Sequence, residues 1–230
     1  MTQIHPTLDR ATTPERGRRS RWPLYGAAAG LLGFIATMPL DGRTADAGDG
    51  VSLTPELFTD LDPVVYRASM VVGYLAVVLL LVTAAHWRRR VEPRVPGSTA
   101  AHLVPLGLVA SAAGLTYGYG WKGALGNYLP GAMEEGYFDD QGLYVYFMLA
   151  DFGSFIGWLG VVVAAGAVAW MALRERTISR WIGFFSLLPV VQSTLMVVGL
   201  GVPGTPGLLA GLWLFVACLG LAFGRSTIAR

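Results

Sequence analysis

Apolar residues recur in six runs long enough to cross about 30 Å of hydrocarbon at about 1.5 Å per helical residue. The runs cover about 23–40, 63–86, 102–120, 142–173, 181–200 and 206–224. Each is continuous rather than alternating, so the pattern predicts membrane helices and not strands. The fourth is too long for a perpendicular span. The last two are separated only by GVPGTP, which predicts a tight helical hairpin punctuated by Pro203 and Pro206. The fold class expected is therefore all-α: a polytopic bundle of six transmembrane helices forming one domain over 22–225.

The polar stretches complete this division. Residues 1–21 carry two prolines and five arginines without an apolar period and predict a disordered cytoplasmic tail. A basic stretch ahead of the first apolar run is also how a signal peptide begins, but five further spans favour a retained helix. Residues 41–62 and 121–141 are expected as extracytoplasmic loops.

Composition agrees with a membrane class. Hydrophobic residues make up 53% of the 230 and charged residues 14%, with a mean hydropathy of +0.51. The charges also orient the bundle. Arg10, Arg16, Arg18, Arg19, Arg21, Arg88, Arg89, Arg90, Arg94, Arg174, Arg176, Arg180, Arg225 and Arg230 fall on the side of the termini, leaving three of the 17 basic residues opposite. Asp41, Asp46, Asp49, Glu56, Asp60, Asp62, Glu134, Glu135, Asp139 and Asp140 take the other side. Basic residues are retained in the cytoplasm, so both termini are expected inside, in a multi-pass protein of the cytoplasmic membrane.

Several chemistries lack their residues. Cys218 is the only cysteine, which excludes an intrachain disulfide and a CxxC pair. His5, His86 and His102 fall in the tail and at helix ends, so they build no zinc triad or haem pair within the membrane. There is no GxSxG, HExxH or Walker lysine, and the acidic residues match no calcium loop. No metal, cofactor or nucleic acid is expected.

What remains is a layer of ionisable and aromatic side chains near the non-cytoplasmic surface. Arg67 precedes Trp87 by 20 residues and Asp151 precedes Arg174 by 23, so both stand about 30 Å from the inner boundary. Lys122 follows the third span directly. A carboxylate and a cation at equal depth on different helices are expected to pair, Arg67 with Asp151, with Lys122 as the alternative partner. Small residues at Ala150, Gly153, Gly157, Gly160, Ala164 and Ala167 form one packing face of the fourth helix. Tyr144, Asp151, Ser154 and Trp158 lie opposite and are expected to line a cavity; Tyr66, Tyr117 and Trp121 either ring its mouth or belong to an aromatic belt that anchors the helices at the interface. Gln192, after Pro189 in the fifth span, is an intramembrane amide that serves either as helix glue or as a ligand contact. The glycine-rich segment between the third and fourth spans is expected either as a flexible solvated loop or, through its apolar and aromatic residues, as a lid folded back over the helix ends.

These observations support an outward-facing pocket for a lipid-soluble or amphiphilic small molecule. Asp151, Arg67 and Lys122 are then the catalytic candidates of a membrane-embedded acid/base enzyme of cyclase, isomerase or hydratase type. Tyr66, Tyr117, Trp121, Tyr144, Ser154, Trp158 and Gln192 are the substrate-binding candidates. A substrate-binding or transport subunit is the alternative, and an accessory or immunity-type membrane protein a further one. Membrane lipid is the expected surrounding, with a helix-packing partner protein or a homo-oligomer as the protein contact.

Overall fold

In the computed structural model, the described residues are 21–40, 61–224 and 228. The tail expected over 1–21, except Arg21, and the extracytoplasmic loop expected over 41–62, except Leu61 and Asp62, lie outside them. The described chain is all-helical, with α1 Pro23–Thr37, α2 Pro63–Arg90, α3 Thr99–Tyr128, α4 Asp140–Ile156, α5 Leu159–Leu173, α6 Arg180–Thr194 and α7 Pro206–Phe223. Five helical stretches are long and apolar enough to cross a membrane: Pro63–Arg94, Thr99–Tyr128, Asp140–Leu173, Arg180–Gly199 and Pro206–Phe223. The protein is a multi-pass membrane helical bundle.

The first apolar run gives a shorter helix than its length promised. At 15 residues, α1 spans about 22 Å. Pro39 supplies the cause, because it has no N–H to bond Ile35 O. Leu40 N takes that carbonyl at 3.0 Å, one register late, and this leaves Ala36 O without a main-chain donor from Leu40. The other bounds follow local chemistry. Asp62, Ser98 and Asp139 accept from the main chain at the starts of α2, α3 and α4.

The third run also ends differently. Residues 121–128, expected in the outer loop, continue α3, and their buried Leu125 joins Tyr66, Leu143 and Phe147 in a small core separate from the main one. In the turn that follows, Leu129 is buried and Phe138 packs on this core, while Met133 and Tyr137 are exposed. Tyr128 stacks on Tyr137 with ring centroids 5.8 Å apart, and Phe138 meets Tyr128 edge-on at 4.8 Å.

The fourth run, 34 residues from Asp140 to Leu173, is interrupted at Gly157 and Trp158. Here Ser111 of α3 reaches into the ladder: its Oγ accepts Val161 N–H at 2.8 Å, and the same N–H points to Trp158 O at 2.9 Å. That tight turn rotates Trp158 into the bundle, where it is fully buried. Glycine makes the approach of α3 feasible, since a side chain on Gly160 would collide with Gly107 O and Ser111, and one on Gly118 with the main chain of Gly153. The expected small-residue face of the fourth span is thus spent against α3.

α3 packs against α2 on one side and α4–α5 on the other, while α1 lies between α2 and α7, and α6 leans on α5 and α7. The bundle has two chemically distinct ends. Arg88, Arg89, Arg90, Arg94, Arg174, Arg176 and Arg180 gather where α2 and α5 finish, with Arg94 donating to Ile228 O at 2.6 Å and Ser98 to Glu175 at 2.7 Å. The C-terminal end of α1, the starts of α2 and α4 and the end of α3 meet at the opposite, far end.

The α3–α5 crossing is expected to be intolerant of bulk. Gly160→Leu should lower unfolding stability in detergent by roughly 2–4 kcal/mol. Gly166→Ala, at a site whose nearest neighbour stands 3.7 Å from an added methyl, should leave the thermal midpoint unchanged.

Candidate functional site

The far end holds a buried polar node built around the end of α1. Ala36 O, orphaned by Pro39, accepts from Ser69 Oγ of α2 at 2.7 Å and from Lys122 Nζ of α3 at 2.9 Å. The same ammonium reaches Leu40 O at 3.5 Å. Three turns of α3 project inward together because Leu115, Tyr119 and Lys122 follow helical spacing. Ser69, Tyr119 and Lys122 are all fully buried.

Donor counting orders the rest of the node. Tyr119 Oη donates its one proton to Gly33 O at 3.1 Å, so Thr37 Oγ1, 3.0 Å away, must donate to Tyr119. Trp158 Nε1 in turn donates to Thr37 Oγ1 at 3.0 Å. The result is a directed chain from Trp158 through Thr37 and Tyr119 to the Gly33 carbonyl. An ammonium placed at the negative end of a helix is favoured both by the orphan carbonyls and by the aligned peptide dipoles. The node accordingly ties α1 to α2, α3 and the α4–α5 break.

The sequence-predicted site residues divide among several places. Lys122 and Trp158 belong to this node. Arg67, half-buried, donates from Nε to Gly126 O at 3.0 Å and so joins α2 to the end of α3. Asp151, also half-buried, lines a separate cavity of about 260 Å³ between α4 and the start of α7, with Phe155, Thr205 and Leu208. Ser154 is buried and donates back to Ala150 O at 3.1 Å. Tyr66 is buried in the outer core and Tyr144 lies on the surface of α4. Gln192 Nε2 donates to Thr205 O at 3.2 Å, which makes it glue between α6 and α7.

Only Tyr117 and Trp121 share an open cavity. It is a groove of about 720 Å³ between α3 and the broken α4–α5 helix, and almost wholly apolar. Ala110 and Gly114 form its α3 wall, while Phe152, Ile156 and Val163 form the other. Its floor is glycine main chain, at Gly153, Gly157 and Gly160. Trp121 covers Gly153 at the upper end, with Tyr117 beside it at a ring separation of 6.0 Å.

Sequence reasoning missed Thr37, Ser69 and Ser111, whose hydroxyls looked like ordinary helix substituents. The available signal was the pairing of Pro39, which must orphan a carbonyl, with a lone lysine at the same depth. The α3 side of the helix contact was missed because Gly107, Gly114 and Gly118 were not read as a second small-residue face. Glu135 accepts Gly131 N–H at 3.0 Å and Asp139 caps α4, so these carboxylates serve the connecting turn. Compared with protein families, curated proteins and solved structures, the chain matches none.

Two substitutions test the node. Lys122→Met should destabilise the protein by about 3 kcal/mol, as loss of a charge-assisted donor to buried carbonyls does. Trp158→Phe keeps the ring but loses the N–H, and should cost about 1 kcal/mol. Denaturant titration in one detergent measures both.

Proposed function

We propose that the protein binds a lipid-soluble or amphiphilic molecule in the groove between α3 and α4–α5. In this reading the bundle stands in the cell membrane with its arginine-rich end in the cytoplasm, in keeping with basic-residue retention. The observation that carries it is the glycine-floored apolar groove of about 720 Å³, a volume within the range of small-molecule sites. Aromatic side chains stand at one end only, where Tyr117 and Trp121 suit the boundary between a ligand's chain and its polar head.

Binding is favoured over catalysis by where the charges are engaged. Lys122 and Arg67 donate to main-chain carbonyls, and Tyr117 is the one titratable side chain on the groove wall. A second reading, acid/base chemistry on a lipid-soluble substrate, is favoured by Asp151, whose cavity adjoins the groove at Phe152. Asp151→Asn separates the two: a binder keeps its ligand, whereas an enzyme loses turnover.

Ala110 lines the groove from an exposed position on α3, so a phenyl ring there fills the groove without entering the core. Purified in mild detergent and extracted for mass spectrometry, the wild-type chain should carry an enriched lipid-soluble molecule. Ala110→Phe should reduce its recovery about tenfold, equivalent to roughly 1.4 kcal/mol of lost contact. Identical lipid profiles in the two proteins would contradict the proposal.

A further inference from the structure

The groove does not stop in the middle of the bundle. A second cavity of about 620 Å³ lies between the start of α3 and the end of α5, and Val163 lines both. The helical faces agree with one continuous valley. On α3 its wall recurs at Leu103, Ala110, Gly114, Tyr117 and Trp121, and on α5 at Gly160, Val163, Ala167 and Trp170, each at three- or four-residue spacing or a sum of such steps. From Ala100 to Trp121 the valley rises about 31 Å, the thickness of the hydrocarbon core.

Its polarity is two-ended. At the far end stand the Tyr117 hydroxyl and the Trp121 indole. At the arginine-rich end stand Thr99, the Gly97 main chain and Glu175, which accepts from Ser98. Between them the walls are hydrocarbon and glycine. A lipid with one short chain would fill half of this valley and leave its polar-free middle exposed at the chain end. A chain of full bilayer length with a polar group at each terminus would match both the length and the two rims.

Resting on the reading of the groove as a binding site, we propose that its ligand is a single membrane-spanning, two-ended amphiphile: a long hydrocarbon or polyene chain bearing a hydroxyl-type group at each end. Such a chain passes Val163, which is 47% exposed and stands where the two cavities join. A molecule confined to one leaflet does not need that passage.

The test compares two probes on the full-length chain in lipid nanodiscs, read by native mass spectrometry. One is an α,ω-diol whose extended chain is about 30 Å, matched to the hydrocarbon core, and the other is a fatty alcohol of about half that length. The wild type should bind one diol, and bind it at least about tenfold more tightly than the alcohol. Val163→Trp should weaken the diol about tenfold or more and the alcohol markedly less, since only the diol has to pass that position; an unchanged thermal midpoint reports that the variant is folded. Val163→Phe, the smaller block, should give the same order of effect in lesser degree.

Equal diol binding by the wild type and both variants would overturn the inference, and so would a diol no tighter than the alcohol. In either case retained sensitivity of the alcohol to Ala110→Phe preserves the groove as a site. If neither probe binds, or if cross-linking through Ala110→Cys shows a second copy of the chain seated in the valley, the inference and the binding reading fall together.

Discussion

The bundle depends on how the C-terminal end of α1 is sealed. A helix of about 22 Å whose end is packed inside the bundle leaves carbonyls that water does not reach, and each would cost several kcal/mol unpaired. Pro39 makes the problem acute at Ala36 O. The solution is a hydroxyl from α2 and the ammonium of Lys122 from α3, with Tyr119 and Thr37 extending the network to Trp158. Lys122 is stable where it is buried because it faces the negative end of a helix and the carbonyls of Ala36 and Leu40.

From this node the groove follows. Trp158 can reach Thr37 only if the long fourth span breaks, and the break is held by Ser111 against Val161 N–H. With Trp158 turned inward, the outward side of the break presents glycine, and α3 approaches close enough for main chain to meet main chain at Gly107 and Gly160. The valley outside that contact is what a ligand would occupy. Polar burial and apolar concavity are in this sense two faces of one helix interruption.

The helices themselves were legible because bilayer thickness imposes long apolar runs that no soluble core requires. The ends were less so. α1 is shorter than its apolar run because Pro39 acts on the hydrogen-bond register and hydropathy does not record that. α3 is longer because Leu125 and Leu129 bury themselves in a second, smaller core, a tertiary choice that a glycine-rich segment hides. The packing role of Gly153, Gly157 and Gly160 was readable from spacing alone. The fates of Lys122 and Arg67 were not: depth brings charges to one level, but their partners turned out to include carbonyls, which a side-chain sequence pattern does not display. Gln192 was open in the sequence between helix glue and a ligand contact, and its bond to Thr205 O is a main-chain contact of the kind that no side-chain pattern displays.

Lys122 is the only lysine in the chain, so labelling lysine side chains with nitrogen-15 at Nζ yields a single ammonium resonance. The account predicts a sharp signal that survives transfer into deuterated buffer, because the protons are hydrogen-bonded to Ala36 O and Leu40 O in a fully buried site. A resonance lost at once to solvent exchange would show that the ammonium is in water, and the seal on α1 with everything built on it would not stand.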